Sequence, residues 1–298
     1  MPNRSFNPHQ PIFDQCREWL AYPQHQSRLE ESQKLLQEYL VAPGRLNPKT
    51  LFRLEWLEHH SGMAACGAYG RHDFPVLAQH LSTSVRCRAL VLRLDAAFSA
   101  MTPDDAGGRP AAFNYSMRAA APAMLGWWEE AKCCAQELIE IAEKDQRLRI
   151  LESRRLRHGT VDAFLIGFFS KAFDINTVFQ SLTPLCPAYA ALLVHWNSPH
   201  ASDFIPAMQD AAEFHVSRSR ESTDEVQYEF DDYFTRVFPV ELLTVQALRM
   251  RDRLPYIETG HSLVDDAWPT IAHLPVAPAD PLLQAVETRL KNDYPLFR

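Results

Sequence analysis

The segment FPVLAQHLSTSVRCRALVLRLDAAFSAM, residues 74–101, decides the fold class of this chain. Its apolar side chains recur at the spacing of one helical face: Leu77, Leu81, Val85, Leu92 and Ala96. A periodic pattern of this length predicts one long helix and favours a core that is built from helices.

Helical periodicity dominates the rest of the chain as well. Further helices are predicted at residues 27–41, 48–63, 111–125, 127–143, 160–173, 184–196, 201–219, 224–238, 240–253, 261–271 and 281–291. No convincing run alternates apolar and polar residues as a strand does, and only 10 glycines are available for tight hairpin turns. We therefore expect an all-α protein, an irregular multi-helix bundle of antiparallel helical hairpins without a significant sheet.

The clearest break in this pattern is TPDDAGGRP, residues 102–110. We expect a single all-helical domain over residues 1–298, with lobes at 1–101 and 111–298 on either side of this loop as the alternative division. Residues 118–143 resemble one tetratricopeptide-type hairpin, but the period of about 34 residues that a repeat array requires does not recur. An irregular bundle is favoured, and a helical-repeat adaptor that binds a peptide stays the alternative.

Composition and charge exclude several classes of protein. The formal net charge of −7 argues against general nucleic-acid binding, which requires a basic surface. The most apolar run, residues 161–173, is too short to span a bilayer, and the N-terminal residues lack the apolar core of a signal peptide. The six cysteines include no CxxC pair, which is typical of buried thiols in the reducing cytoplasm. We expect a cytoplasmic protein that binds neither nucleic acid nor membrane.

Motifs for metal, cofactor and nucleophilic chemistry are incomplete. The Glu-x-x-His spacing of a di-iron helix occurs at Glu258 and His261, where Gly260 indicates a loop. The metallopeptidase, nucleotide-binding and serine-hydrolase motifs are absent. A Cys–His pair from distant parts of the chain stays open, because six cysteines and 12 histidines supply many combinations. We expect no metal, no cofactor and no enzymatic activity, with an all-helical enzyme of dispersed active-site residues as the lesser alternative.

The triplet Arg71-His72-Asp73 allows two interpretations. It is either an exposed polar cluster on a connecting loop, where binding residues often lie, or the end of a helix. In the second case Gly70 follows the last turn, and Arg71 and His72 lie near the negative end of the helix. Capping accounts for each residue type, so the second interpretation is favoured.

The most distinctive stretch is ESTDEVQYEFDDYF, residues 221–234, which holds six carboxylates and no lysine or arginine. At helical spacing Val226, Phe230 and Val237 form an inward apolar stripe, and the acids lie on other faces. Uncompensated negative charge favours a cationic partner, and tyrosine is common at the centres of interfaces. The candidate partner-binding residues are Asp224, Glu225, Tyr228, Glu229, Asp231, Asp232 and Tyr233.

Two other interpretations of the acidic stretch remain. Runs of acids are common on solvated helix faces, where they serve solubility. The acids could also pair internally with a basic segment of five arginines: Arg147, Arg149, Arg154, Arg155 and Arg157. If that segment packs beside residues 221–232, the carboxylates are structural rather than partner-facing.

Several stretches together resemble a known class of proteins. They are the alanine- and tryptophan-rich hairpin at residues 119–143, Phe214-His215 near a helix end, the acidic-aromatic stretch, and FPVELLTVQALRMRDRLPYIE at residues 238–258. Their pattern resembles the all-helical immunity proteins of bacterial polymorphic toxin systems, in particular immunity protein family forty-nine. The similarity covers roughly residues 50–275, and residues 1–46 extend beyond it. A second helical immunity family, paired with DNase toxins of the PoNe type, is similar in architecture.

The resemblance implies a cytoplasmic protein that is made beside its toxin, binds it tightly and needs no catalytic residues. The implied partner is a cognate toxin with a basic surface, such as a nuclease. Because nucleases bind phosphate through lysine and arginine, an inhibitor can present carboxylates to the same cations. Neither family assigns functional positions to this sequence.

Overall fold

A computed structural model describes residues 10–46, 51–106, 113–148 and 160–298. Within these ranges the regular structure is entirely helical and no strand occurs, which confirms the predicted all-α class. None of the described helices is both long enough and apolar enough to cross a membrane.

The described ranges contain fourteen α-helices and one short 3₁₀ turn, joined by loops. They are α1 Gln10–Ala21, α2 Pro23–Val41, α3 Leu51–Gly70, α4 Phe74–Met101, the 3₁₀ turn Asp104–Ala106, α5 Phe113–Met124, α6 Trp128–Leu148, α7 Val161–Phe173, α8 Pro187–His195, α9 Ala201–Arg218, α10 Tyr233–Val237, α11 Val240–Arg251, α12 Ser262–Asp265, α13 Ala267–Ala272 and α14 Pro281–Asp293. The long helix α4 has the predicted bounds. Helix α1 has no counterpart among the predicted helices.

The hairpin of α3 and α4 forms the centre of the fold. Small residues in α3 let other elements approach its backbone closely: a Cβ atom on Gly62 would lie 3.3 Å from the ring of Phe234, and one on Gly70 would lie 2.6 Å from Phe13. Helices α10 and α1 therefore pack directly against α3. This packing fixes the chain on the C-terminal side of the acidic stretch.

The turn between α3 and α4 is a capping structure. Helix α3 ends at Gly70, and His72 adopts the left-handed conformation with φ 56°. The Asp73 carboxylate accepts a hydrogen bond from the Val76 amide and caps α4. The capping interpretation of the triplet is confirmed, although His72 rather than Gly70 takes the left-handed position.

Contacts between helices that are distant in sequence define the bundle. Helix α11 packs against α5, where the Thr244 hydroxyl donates to the Ala120 carbonyl at 2.9 Å. Helix α14 packs against α2, where the Tyr39 hydroxyl donates to Asp293 at 2.7 Å. In a solenoid each hairpin contacts only its neighbours, so this packing is that of an irregular bundle.

Two buried apolar clusters form the core. The larger extends from Phe13 in α1 to Ile271 in α13, and the smaller joins α2, α3, α4 and α14. All six cysteines lie in the described ranges as free thiols, and four of them are buried.

Candidate partner-binding surface

The acidic stretch is a loop rather than the predicted helix. Residues 219–232, here called the acidic loop, contain no helical turn, and α10 begins only at Tyr233. The prediction of a helix over residues 224–238 is therefore wrong for all but its last part. The inward stripe is right for the buried Phe230 and Val237 and wrong for Val226, which is 39% exposed.

Side chains that satisfy the backbone explain why no helix forms here. Thr223 Oγ1 accepts from the Val226 amide, and Ser222 Oγ accepts from the Tyr228 amide, both at 3.0 Å. Ser222 Oγ also donates to Asp231 at 2.7 Å. Serine, threonine and aspartate compete in this way with helical hydrogen bonds, and closely spaced like charges disfavour the helix further.

The base of the acidic loop is held by Arg218, the last residue of α9. Its Nε donates to Glu229 Oε2 at 2.5 Å, and its Nη2 donates to the Gln227 carbonyl at 3.0 Å. The Glu229 side chain is fully buried. The prediction that Glu229 faces a partner is therefore wrong, because its carboxylate is consumed in an internal ion pair. Tyr228 is half-buried, with the Arg218 guanidinium 4.5 Å above its ring.

Below this ion pair, His215 joins the acidic loop to the core. Phe230 stacks on its imidazole with ring centroids 3.7 Å apart. His215 Nε2 lies 3.1 Å from the Thr235 carbonyl, and Nδ1 lies 2.7 Å from Glu241 Oε1. A carbonyl oxygen only accepts, so Nε2 donates to Thr235, and Nδ1 faces the Glu241 carboxylate.

Two further predicted residues, Asp232 and Tyr233, lie where the loop meets α10 and are mainly structural. Asp232 caps α10, because its carboxylate accepts from the Thr235 amide at 3.0 Å. Tyr233 is half-buried against the core, with the Arg236 guanidinium 5.6 Å from its ring. Asp232 keeps part of its surface exposed, but its cap makes it a residue that holds the loop.

The exposed part of the acidic loop remains strongly acidic. Three of the predicted partner-binding residues are exposed, Asp224, Glu225 and Asp231, and Glu221 joins them. Exposed Asp210 and Glu213 on the last turns of α9 precede them in the chain.

Apolar and basic side chains complete this surface. Val216 in α9 and Val226 in the acidic loop are 49% and 39% exposed. Of the two basic residues in this part of the chain, Arg218 is paired with Glu229 and Arg220 is exposed. The surface therefore combines net negative charge with small exposed apolar side chains. Protein interfaces likewise combine a polar rim with an apolar centre.

Of the five arginines predicted to pair with the acidic stretch, Arg147 lies in the described residues. Arg147 pairs with Asp104 at 3.0 Å and so has a partner other than the acidic loop. Arg149, Arg154, Arg155 and Arg157 lie outside the described residues.

Groups that could carry other chemistry occur at several places in the described ranges. Across the described ranges, no three His, Cys, Asp or Glu side chains are placed to hold a metal ion. Glu258 and His261 lie on a loop, as the glycine between them predicted, and this Gly260 has φ 76°. His215 and Glu241 converge as catalytic groups often do, yet both are completely buried.

Cavities occur elsewhere in the described part of the chain, and two of them have charged or aromatic linings. One of about 400 Å³ is lined by acidic and basic side chains that include Asp104, Glu137 and Lys144. Burial raises the pKa of Glu137 to about 7. The other, of about 360 Å³, is mostly apolar and is lined by residues that include Tyr256 and Trp268.

Comparisons of the chain with protein-family models, with curated proteins and with solved structures found no match.

Sequence reasoning found the exposed acids because they are contiguous in the chain. It missed the residues that hold them, above all Arg218 and His215. The Glu-to-Arg spacing of 11 residues and the His-to-Glu spacing of 26 residues follow no local period, so only the fold brings these pairs together.

Proposed function

We propose that this protein is an immunity protein, which binds a cognate toxin with a basic surface and neutralises it by stoichiometric contact. The observation that carries the proposal is the acidic loop. Its exposed carboxylates Glu221, Asp224, Glu225 and Asp231 project from a segment whose base is fixed by buried contacts.

Charge and rigidity support this proposal together. Carboxylates grouped on one surface attract a cationic domain over a distance and raise the rate of encounter. A loop that is already held by Arg218, His215 and the Asp232 cap loses less conformational freedom on binding than an unattached one. The surface is thus suited to fast recognition of lysine and arginine on a toxin, without a catalytic group of its own.

The alternative functions have less support. A peptide-binding helical repeat would stack hairpins in chain order, whereas α11 packs on α5 and α14 packs on α2. An enzyme with dispersed residues would need its polar groups to reach a substrate, whereas His215 and Glu241 have no exposed surface.

Co-expression with the protein encoded immediately upstream tests the proposal. That protein should arrest growth when it is produced alone, and this chain should restore growth and co-purify with it in equimolar amount. The triple variant Glu221→Lys, Asp224→Lys and Glu225→Lys should lose protection. Glu30→Lys, Glu38→Lys and Glu258→Lys, which change the net charge equally at exposed sites elsewhere, should keep it.

Two results would contradict the proposal. One is an upstream protein that does not inhibit growth. The other is full protection by the loop variant, since the acidic loop would then have no part in neutralisation.

A further inference from the structure

A patch of aromatic and histidine side chains lies where α1, α2 and α3 meet. It consists of Trp19, Tyr22, His25, Trp56 and His59, here called the aromatic patch. The Trp19 ring stacks on His25 with centroids 3.9 Å apart, and the His59 ring is nearly perpendicular to Trp19 with centroids 4.9 Å apart. Trp56 lies 5.6 Å from Trp19, and Tyr22 lies 5.7 Å from His25.

These rings are at the surface rather than in the core. Tyr22 is 55% exposed, His59 is exposed, and Trp19, His25 and Trp56 are half-buried. Large rings that keep part of their surface in solvent and hold one another in place are typical of the anchoring residues of interfaces.

The patch already holds a cation of its own chain. The Arg28 guanidinium lies 5.3 Å from the Trp56 ring centroid, within the range of a cation–π contact. Ring faces at this site therefore accept a guanidinium, which is the group that an arginine of a partner would present.

The aromatic patch adjoins the acidic loop. Gly62 lies about one turn of α3 after His59, and the Phe234 ring of α10 lies 3.3 Å from the position of a Cβ atom on Gly62. The chain after Asp232 then packs on α3, where Cys66 Sγ donates to the Tyr233 carbonyl at 3.8 Å. His59 and Asp232 thus mark the border between an aromatic surface and an acidic one.

Burial disfavours the charged forms of His59 and His60. Surrounding protein atoms lower the pKa of His59, and they lower that of the neighbouring His60 to about 4. His59 and His60 therefore add little to the positive charge that Arg28 brings to this site.

We propose that the aromatic patch is the anchoring half of the partner-binding surface, on which arginine side chains of the cationic partner stack while the acidic loop pairs with the surrounding charge. This inference rests on the proposed function and assigns the partner's chemistry at a second location. The two halves then control different rates. Charges on the loop set the rate of association, and the desolvated rings set the rate of dissociation.

Binding kinetics with the upstream-encoded protein separate the two halves. The double variant Tyr22→Ala, His59→Ala should dissociate about tenfold faster or more, with an association rate close to that of the unchanged protein. Tyr256→Ala, which removes an equally exposed ring far along the chain, is the matched control and should change neither rate. A thermal melt of each variant excludes loss of folding.

A nona-arginine peptide provides a second arm that does not depend on the identity of the partner. Protein labelled with 5-fluorotryptophan has six ¹⁹F signals, which single Trp→Phe variants assign. The peptide should shift the signals of Trp19 and Trp56 and leave those of Trp127, Trp128, Trp196 and Trp268 unchanged. A nona-glutamate peptide should shift none.

The outcomes distinguish the inference from the proposed function. If the patch variant dissociates at the unchanged rate while the loop variants associate slowly, the inference is wrong and the proposed function stands. If the upstream protein binds no variant and is not bound by the unchanged protein, the proposed function is wrong. In that case the peptide arm alone decides, and an absence of shifts at Trp19 and Trp56 overturns the inference.

Discussion

His215 Nδ1 lies 2.7 Å from Glu241 Oε1, and neither side chain has any exposed surface. The other nitrogen of the same imidazole bonds the Thr235 carbonyl, and Phe230 stacks on its face. One buried residue of α9 is thereby joined to α11, to α10 and to the end of the acidic loop. The acidic loop is thus attached through the stacking of Phe230 on His215 and through the ion pair of Glu229 with Arg218.

The first prediction concerns this buried pair. In His215→Ala the Glu241 carboxylate stays buried with the Tyr189 hydroxyl as its remaining donor. We expect the free energy of unfolding to fall by about 3–5 kcal/mol, since removing one partner leaves the other charge uncompensated. Urea unfolding measures the loss. The double variant His215→Leu, Glu241→Leu removes both polar groups and should recover much of it.

A second prediction concerns the attachment of the acidic loop. Arg218→Ala removes the counter-charge of the buried Glu229 and the donor to the Gln227 carbonyl. Residues 221–228 should then open locally while the helices stay folded, because Ser222 and Thr223 hold them by side-chain hydrogen bonds at the surface, whereas Phe230 stays buried. Hydrogen exchange of the Val226 and Tyr228 amides should become about tenfold faster or more. Arg220→Ala is the control, and equal exchange in the two variants would refute the role of Arg218.

The third prediction separates exposed acids from structural ones. Lysine at Glu221, Asp224 or Glu225 should change the free energy of unfolding by less than about 0.5 kcal/mol each, as is usual for exposed sites. Asp232→Ala removes the cap of α10 and should cost about 1 kcal/mol. Chemical unfolding of the four single variants tests this order, and a large loss at Glu225 would place it with the structural residues.

The fourth prediction is a dependence of stability on pH. Burial raises the pKa of Glu137 from 4.5 to about 7, although Arg298 Nε donates to this carboxylate at 2.9 Å. The folded protein therefore keeps a proton that the unfolded chain loses between these values, and stability falls as pH rises through this range. Glu137→Gln should therefore raise the free energy of unfolding, relative to the unchanged protein, by up to about 3 kcal/mol more at about pH 8 than at about pH 5. Urea unfolding at the two pH values measures this. The same difference in stability between the variant and the unchanged protein at both pH values would contradict the prediction.

The sequence predicts elements whose apolar pattern is long and unbroken. Helix α4 has its predicted bounds for this reason, and the same periodicity identified Phe230 and Val237 as buried. The helix predicted over residues 224–238 failed because Ser222 and Thr223 bond the backbone of a loop.

The remaining differences have two causes. Helix α1 buries Phe13 and Cys16 and has a local signal that the prediction missed, because Phe13, Cys16 and Leu20 recur at helical spacing in its sequence. The candidate surface, in contrast, depends on contacts that have no local signal. Its exposed acids are adjacent in sequence and were predicted, whereas the ion pair that excludes Glu229 from the surface depends on how α9 ends.

The association rate of the upstream-encoded protein tests the central claim most directly. Stopped-flow measurements should compare the unchanged protein with the triple variant Glu221→Lys, Asp224→Lys, Glu225→Lys over a series of NaCl concentrations. We predict that the variant associates about tenfold more slowly or worse at low salt, and that its rate depends less on salt. The variant Glu30→Lys, Glu38→Lys, Glu258→Lys, of equal net charge, should stay close to the unchanged protein. Association of the loop variant at the unchanged rate and with the unchanged salt dependence would contradict the account.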